Sequence, residues 1–192
     1  MKGRRFESCP PDKNQKMEKT IRKTSIYVVE QILNMCTMDT GVSILEPSAG
    51  SGDLVDGIKY LYPFLTMDID CVELNKELRE QLKAKGYNVV GEDFLKFSTE
   101  KKYDYVFACP TFKDNVDVEH IMHMYRFLKM GGSVITLTSP FWTVKNSERQ
   151  MNFRKWLEGK QYYMKMLRDN CFVEDYKTQP SMLMKITKTT HV

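Results

Sequence analysis

The sequence lacks the long apolar segments and the paired cysteines that mark several large classes of protein. No apolar run approaches the roughly 20 residues that a membrane-spanning helix requires, and no signal peptide opens the chain. The five cysteines are an odd number without a Cys-x-x-Cys pair, which argues against a disulfide framework and against a zinc knuckle. We therefore expect a cytoplasmic protein that is not bound to a membrane.

Histidine is scarce as well, with three residues in the chain. His120 and His123 share one helical face near Glu119, but no further ligand is evident in the sequence. Because a zinc ion in a protein needs a full set of converging ligands, we expect a helix surface or a wall of a substrate pocket here and no metal site.

Positive charge is concentrated at the start of the chain. Residues 1–23 hold eight Lys and Arg against three Asp and Glu, a charge of +5, whereas the whole chain carries +4. Because this segment is also poor in apolar residues, residues 1–19 are predicted to form a flexible basic arm and residues 20–192 a single domain. The arm would either promote solubility or contact phosphates.

Strand and helix patterns alternate through most of the chain. Strands are predicted at 42–46, 67–72, 88–90, 103–109 and 133–138. Helices are predicted from residue 20 or 24 through 33, and at 51–61, 75–85, 116–128 and 147–157. Two last strands, 171–173 and 182–186, follow each other without a helix, which favours an antiparallel pair. The order predicts an α/β, Rossmann-like sheet of seven strands, mostly parallel, with an antiparallel C-terminal hairpin strand and helices on both faces.

A turn rich in small residues follows the first strand, over residues 45–53. Gly50 and Gly52 let the backbone approach a ligand, and the next helix presents N–H groups to it. Glu46 would repel a pyrophosphate but attract an ammonium group, and Val55 replaces the third glycine of the dinucleotide fingerprint. The pattern favours S-adenosylmethionine over a dinucleotide; an ordinary tight turn is the alternative.

Motifs in the same order occur in a known family. Residues 24–30, 45–52, 72–75, 91–94, 117–125 and 128–132 match its successive motifs, except that Ser25 stands where the family usually has proline. With these motifs the chain resembles the class I S-adenosylmethionine-dependent methyltransferases, and most closely the small DNA adenine-N6 methyltransferase-like proteins of bacteria and phages. The resemblance covers residues 24–186, most of the chain.

The resemblance implies S-adenosylmethionine as the cofactor. It implies that Glu73 binds the ribose hydroxyls and that Asp93 binds the adenine amino group. These roles suit carboxylates at the carboxyl ends of successive parallel strands. Taken singly, each acid could equally be a solvated loop carboxylate or a helix N-cap. The implied cofactor residues are Thr24, Glu46, Ser48, Gly50, Gly52, Glu73, Leu74, Asp93 and Phe94.

The family's fourth motif, an Asp, Asn or Ser followed by Pro-Pro and an aromatic residue, is altered here to Cys109-Pro110-Thr111-Phe112. In the family, the first side chain and the proline carbonyl accept hydrogen bonds from the target amine, and the aromatic ring stacks on a flipped base. Cys109 is a weak acceptor. Losing one good hydrogen bond costs about 1–3 kcal/mol, or roughly ten- to a hundredfold in rate. Cys109, Pro110 and Phe112 are the predicted catalytic residues.

A nucleophilic role for Cys109 is not favoured. Cytosine-C5 methyltransferases place the cysteine after the proline, and no basic partner stands beside Cys109 in the sequence. A cysteine at the end of a buried strand is more often simply packed.

The sequence therefore predicts an S-adenosylmethionine-dependent methyltransferase acting on adenine N6, with DNA as the partner. One alternative is a module of the same fold that has lost catalysis. Another is a methyltransferase acting on RNA, protein or a small molecule. Residues 139–142 would either wall the substrate pocket or pack on the sheet as a lid, and no oligomeric state is predicted.

Overall fold

The computed structural model describes residues 24–110, 117–167 and 181–189. Within these ranges, seven strands form one sheet in the order β3-β2-β1-β4-β5-β7-β6. The strands are β1 (Ser43–Glu46), β2 (Asp68–Val72), β3 (Asn88–Gly91), β4 (Tyr103–Ala108), β5 (Leu128–Thr138), β6 (Gln161–Met166) and β7 (Met182–Thr187). The helices are α1 (Ile26–Leu33), α2 (Asp53–Leu61), α3 (Lys76–Ala84), α4 (Asp117–Tyr125) and α5 (Glu148–Leu157).

The first five strands pair in parallel. Strand β7 lies between β5 and β6 and is antiparallel to both. This topology confirms the predicted α/β, Rossmann-like sheet with an antiparallel strand at its C-terminal side. The strand order reverses between β1 and β4, and in sheets of this kind ligands bind outside the carboxyl ends of the strands at that point.

Helices cover both faces of the sheet, as predicted. On one face, α1 and α2 share a buried cluster with the sheet, formed by Val28, Ile32, Leu54, Ile58, Ile44, Phe107 and Ile135. On the other face, α4 and α5 share a second cluster, formed by Val118, Ile121, Phe153, Leu157, Met184 and Ile186. None of the helices in the described ranges is long and apolar enough to cross a membrane.

The junction between α4 and β5 differs from the sequence prediction. The predicted helix covers 116–128 and ends at the pair Gly131-Gly132, but α4 ends three residues before the strand begins. Both glycines lie inside β5, where the pairing with β4 shifts register. A Cβ on Gly132 would lie 2.9 Å from two backbone carbonyl oxygens of β4. The glycine is therefore needed for close strand approach rather than for ending a helix.

The edge of the sheet also differs from the prediction. The strand predicted at 171–173 lies outside the described residues, and β7 instead pairs with β6, where Met164 lies opposite Met184. Most of β6 is exposed, including Tyr162 and Tyr163. Because an exposed edge strand needs neither an apolar run nor strict alternation, this segment carries no clear strand pattern.

Candidate active site

The turn between β1 and α2 lies at the carboxyl edge of the sheet, and its two glycines have different roles. Gly50 and Gly52 both adopt positive φ angles, +55° and +90°. A Cβ on Gly50 would meet no atom within 4 Å, whereas one on Gly52 would lie 2.9 Å from the ring of Tyr87 and 3.0 Å from Leu82. Gly50 therefore borders open space, and Gly52 is required by the packing of the turn.

Glu73 connects this turn to the end of β2. One carboxylate oxygen accepts a hydrogen bond from the Gly50 backbone N–H at 2.7 Å, and the other accepts from the Asn75 backbone N–H at 2.8 Å. The strand-end motifs of β1 and β2 are thus brought together. Because each carboxylate oxygen has more than one acceptor site, Glu73 keeps capacity for a further donor.

Asp93 follows β3 and begins the 3₁₀ turn Phe94–Lys96. Its carboxylate accepts from the Leu95 backbone N–H at 3.1 Å and pairs with the Lys96 ammonium at 3.0 Å. The hydrogen bond from Lys96 is the main cause that lowers the pKa of Asp93. Asp93 therefore does act as a helix N-cap, the alternative role considered for each strand-end acid. Its carboxylate remains ionised and partly exposed at the carboxyl edge of the sheet.

The apolar residues predicted beside these acids lie in opposite environments. Leu74 is 72% exposed, next to the end of β2, whereas Phe94 is only 4% exposed. The Phe94 ring packs between helix α4 and the following turn, with ring centres 4.8 Å from His123 and 5.5 Å from His120. Leu74 therefore presents an apolar side chain to solvent, and Phe94 supports the rim from within the core.

Glu46, at the end of β1, is the most unusual group of the site. The residue is 3% exposed, and its Oε2 has no hydrogen-bond partner among the described residues. Burial, reinforced by the carboxylates of Asp53, Glu73 and Asp56, raises the pKa of Glu46 well above its usual value. A buried polar atom without a partner is rare and costly. A positively charged ligand group beside the open Gly50 turn would satisfy it, so these residues suit a cationic cofactor.

Four other predicted residues lie within the described ranges. Ser48 is half-buried in the turn, and Thr24 is half-buried one residue before Ser25, the N-cap of α1. Cys109 is half-buried after β4 and packs against the apolar cluster under α1, while Pro110 is buried. The predicted aromatic plate Phe112 lies outside the described residues.

Sequence reasoning missed the buried carboxylate of Asp117. It accepts hydrogen bonds from the Thr138 hydroxyl at 2.8 Å and from the Ser139 backbone N–H at 2.9 Å. These bonds fix the start of α4 to the carboxyl end of β5. An acid in the first turn of the predicted helix 116–128 is the signal available in the sequence, but its partner Thr138 is 21 positions away, and the sequence gives no cue to that pairing.

The loop after β5 is held by a second residue that was not predicted, Arg154 of α5. Its guanidinium donates to the backbone carbonyls of Trp142 at 2.6 Å and Lys145 at 2.7 Å. Trp142 is 5% exposed and packs edge-on against Phe153, with ring centres 5.0 Å apart. Trp142 therefore belongs to the core, as the lid alternative requires, while Phe141 is half-buried at the surface.

The two histidines of α4 pack among aromatic rings. Nε2 of His123 lies 3.0 Å from the Phe97 carbonyl oxygen. Burial, followed by the charge of His123, lowers the pKa of His120. Within the described residues, no group of three or more His, Cys, Asp or Glu side chains is placed to hold a metal ion.

Comparisons with known proteins agree with this architecture. No protein-family model matches the chain. Malonyl-acyl-carrier protein O-methyltransferase 2 of Ilyobacter polytropus is 29% identical over 102 residues, which cover 50% of this chain and 39% of that protein. A candidate class I S-adenosylmethionine-dependent methyltransferase of Listeria monocytogenes superposes with a TM-score of 0.68 at 14% identity, covering 92% of this chain and 64% of the other.

A second solved structure is the methyltransferase subunit of a type I restriction-modification system from Streptococcus thermophilus. Its TM-score is 0.69 at 19% identity, and the alignment covers 88% of this chain and 45% of that subunit. The chain has the class I methyltransferase fold. It spans less than two thirds of the length of each of these three proteins. Within the class I methyltransferase fold, the Gly50 turn and Glu73 occupy the carboxyl edge beside the switch point between β1 and β4.

Proposed function

We propose that this chain is an S-adenosylmethionine-dependent methyltransferase. The observation that carries the proposal is the buried carboxyl of Glu46, whose Oε2 has no hydrogen-bond partner among the described residues, beside the open turn at Gly50. A carboxyl in that position suits a ligand with an ammonium group and opposes a ligand with a pyrophosphate. The class I methyltransferase fold and the curated methyltransferase relative support the same cofactor.

The chain's own residues would divide the binding of the cofactor. Glu46 would pair with its ammonium group, and the N–H groups at the start of α2 would bind its carboxylate. Glu73 would accept from the ribose hydroxyls and Asp93 from the adenine amine, while the exposed Leu74 side chain would pack on the adenine ring. S-adenosylmethionine supplies an electrophilic methyl group when bound, and these residues would hold it oriented toward the acceptor.

We propose adenine N6 in DNA as the methyl acceptor. Support comes from the altered but related motif Cys109-Pro110, and from the fold shared with the methyltransferase subunit of a restriction-modification system. The Pro110 carbonyl would accept a hydrogen bond from the target amine. The curated relative is named for O-methylation of another acceptor, so RNA, protein and small molecules are tested alongside DNA.

One observation favours a second candidate, a module that binds the cofactor without transferring its methyl group. Cys109 stands where the family has a strong hydrogen-bond acceptor, and it packs against the apolar cluster below α1. A thiol in that setting contributes packing more readily than hydrogen bonding.

Two measurements on the full chain separate these candidates. Calorimetric titration with S-adenosylmethionine tests the cofactor site, with Glu73→Gln as the variant that should weaken binding. Transfer of a labelled methyl group to DNA, RNA, lysate protein or small molecules then tests the chemistry. Binding with transfer to DNA supports the enzyme, binding without transfer to any acceptor supports the module, and no binding at millimolar cofactor contradicts both.

A further inference from the structure

The groups within electrostatic range of Glu46 include three carboxylates and two neutral side chains. Asp53 and Asp56 face it from α2, and Glu73 faces it from the end of β2. The Cys71 thiol of β2 and the Tyr87 phenol also lie within electrostatic range of Glu46, and burial raises the pKa of both, so both are neutral.

Two lysines close to these groups have contacts of their own. The Lys85 ammonium pairs with Asp56 at 2.7 Å and donates to the Ser51 carbonyl at 2.7 Å. Lys59 lies 4.4 Å from the centre of the Tyr87 ring. Neither forms a hydrogen bond to Glu46 in the described structure, so a negative charge on Glu46 would have three like charges around it and no cation paired with it.

A buried carboxyl in such a setting is more stable with its proton than without it. Removing the group from water disfavours the charged form, and each neighbouring carboxylate disfavours it further. A protonated carboxyl also agrees with the missing partner at Oε2, because a neutral acid loses less than a carboxylate by lacking one.

We propose that Glu46 is protonated in the ligand-free protein and gives its proton to solvent when the cofactor's ammonium group arrives, so that cofactor binding releases a proton. The neutral acid and the incoming ammonium become a carboxylate–ammonium pair, and the displaced proton enters the buffer. This inference rests on the proposed function, and it adds that the site distinguishes its ligand by charge and by pH.

The direction of the pH dependence follows from linkage. Below the raised pKa of Glu46, the free protein holds a proton that the complex does not, so affinity rises roughly tenfold per pH unit and levels off above that pKa. Glu46→Gln cannot release a proton, so its affinity should be lower and independent of pH. Asp53→Asn removes one neighbouring negative charge and should move the release to lower pH.

The test is calorimetric titration of the full chain with S-adenosylmethionine in two buffers of different ionisation enthalpy. Measurements between about pH 5.5 and 7 keep the α-amino group of the cofactor protonated. The difference in heat between the buffers gives the number of protons released. Wild type should release up to about one proton, and Glu46→Gln should release none. S-adenosylhomocysteine, which keeps the ammonium group but lacks the sulfonium charge, should release the same proton as the cofactor.

The outcomes distinguish this inference from the function on which it rests. Wild-type binding without proton release overturns the proton coupling alone, as does equal release by Glu46→Gln. No binding at any pH overturns the methyltransferase proposal as well. If Glu46→Gln does not fold, carbon-13 NMR of the glutamate carboxyls in ligand-free wild type decides the matter. If every glutamate carboxyl signal titrates at the ordinary glutamate pKa, the inference is refuted. One signal with a raised pKa that becomes lower in Asp53→Asn supports it.

Discussion

At the scale of single residues, Glu46 gives the fold a stability that depends on pH. Between the ordinary glutamate pKa of about 4.3 and its raised value, the native protein binds more protons than the unfolded chain. The free energy of unfolding therefore falls as pH rises through that interval. Glu46→Gln should lack this contribution, so the melting temperature of the variant relative to wild type should increase from about pH 5 to pH 7.5.

Thermal unfolding followed by circular dichroism at several pH values measures this difference. Glu80→Gln, a change on the exposed face of α3, provides the matched control because Glu80 is exposed and its lowered pKa keeps it ionised over this range. A constant difference in melting temperature between Glu46→Gln and wild type across this pH range would show that Glu46 does not titrate there.

Cys109 is the residue at which the proposed chemistry departs most from the family. Replacing it by asparagine places a good hydrogen-bond acceptor at the position proposed to meet the target amine. We expect Cys109→Asn to raise methyl transfer to adenine about tenfold, in line with the 1–3 kcal/mol that one well-placed hydrogen bond contributes. Single-turnover label transfer to DNA measures the change.

Cys109→Ala is the control for the volume of the side chain, and it should not exceed wild type. Cofactor affinity should be the same in all three proteins, since Cys109 is proposed to face the acceptor. A rise in transfer with Cys109→Ala, or no transfer by any of the three, would count against the hydrogen-bond argument.

At the scale of elements, the two glycines of the turn between β1 and α2 are proposed to have different roles, Gly50 in cofactor binding and Gly52 in folding. Gly52→Ala places a Cβ against Tyr87 and Leu82 at a φ of +90°, and should destabilise the protein by about 1–3 kcal/mol. Gly50→Ala meets no atom within 4 Å, but its φ of +55° is strained for alanine and should cost about 1–2 kcal/mol. Its Cβ would enter the open space in which the cofactor is proposed to bind.

Urea unfolding and cofactor calorimetry on both variants test this contrast. We expect Gly50→Ala to bind S-adenosylmethionine at least roughly tenfold more weakly while remaining folded, because its methyl group occupies space that a ligand needs. Equal loss of affinity in both variants, in proportion to their loss of stability, would show that the turn acts on binding only through folding.

Elements with a strong local signal could be predicted from the sequence. The apolar run of β4 and the capping residue Asn75 before α3 locate these elements within one or two residues. Strand β6 could not be predicted, because its exposed residues need only pair through the backbone. The paired glycines of β5 were misread for a related reason, since Gly132 is required by a close approach of β4 that depends on the tertiary structure.

The same limit applies to the candidate site. Placement of Glu46, Glu73 and Asp93 at one edge follows from chain order and parallel topology, and was predicted. Burial of Phe94 depends on how α4 packs across the 3₁₀ turn, and the bond from Ser139 to Asp117 depends on two distant segments meeting. Neither has a periodic or local cue in the sequence.

At the scale of the whole molecule, the distribution of charge bears on the acceptor. Residues 1–19 contain six Lys and Arg against three Asp and Glu, whereas the rest of the chain is close to neutral. If this segment binds phosphates, deleting it should weaken binding to double-stranded DNA of any sequence and reduce its salt dependence. The slope of log affinity against log salt changes by about 0.9 for each phosphate that the shortened protein no longer neutralises.

Fluorescence anisotropy with a labelled duplex, measured between about 50 and 200 mM salt, gives both quantities, because this range changes phosphate-driven affinity strongly. Cofactor affinity of the shortened protein provides the control, since the predicted cofactor residues all lie after residue 23. A smaller salt slope with unchanged cofactor binding would assign the segment to the nucleic acid, because that slope reports how many phosphates the protein neutralises. An unchanged salt slope would leave solubility as the role of residues 1–19. Any preference for DNA would then have to come from the edge of the sheet that carries Cys109 and Pro110.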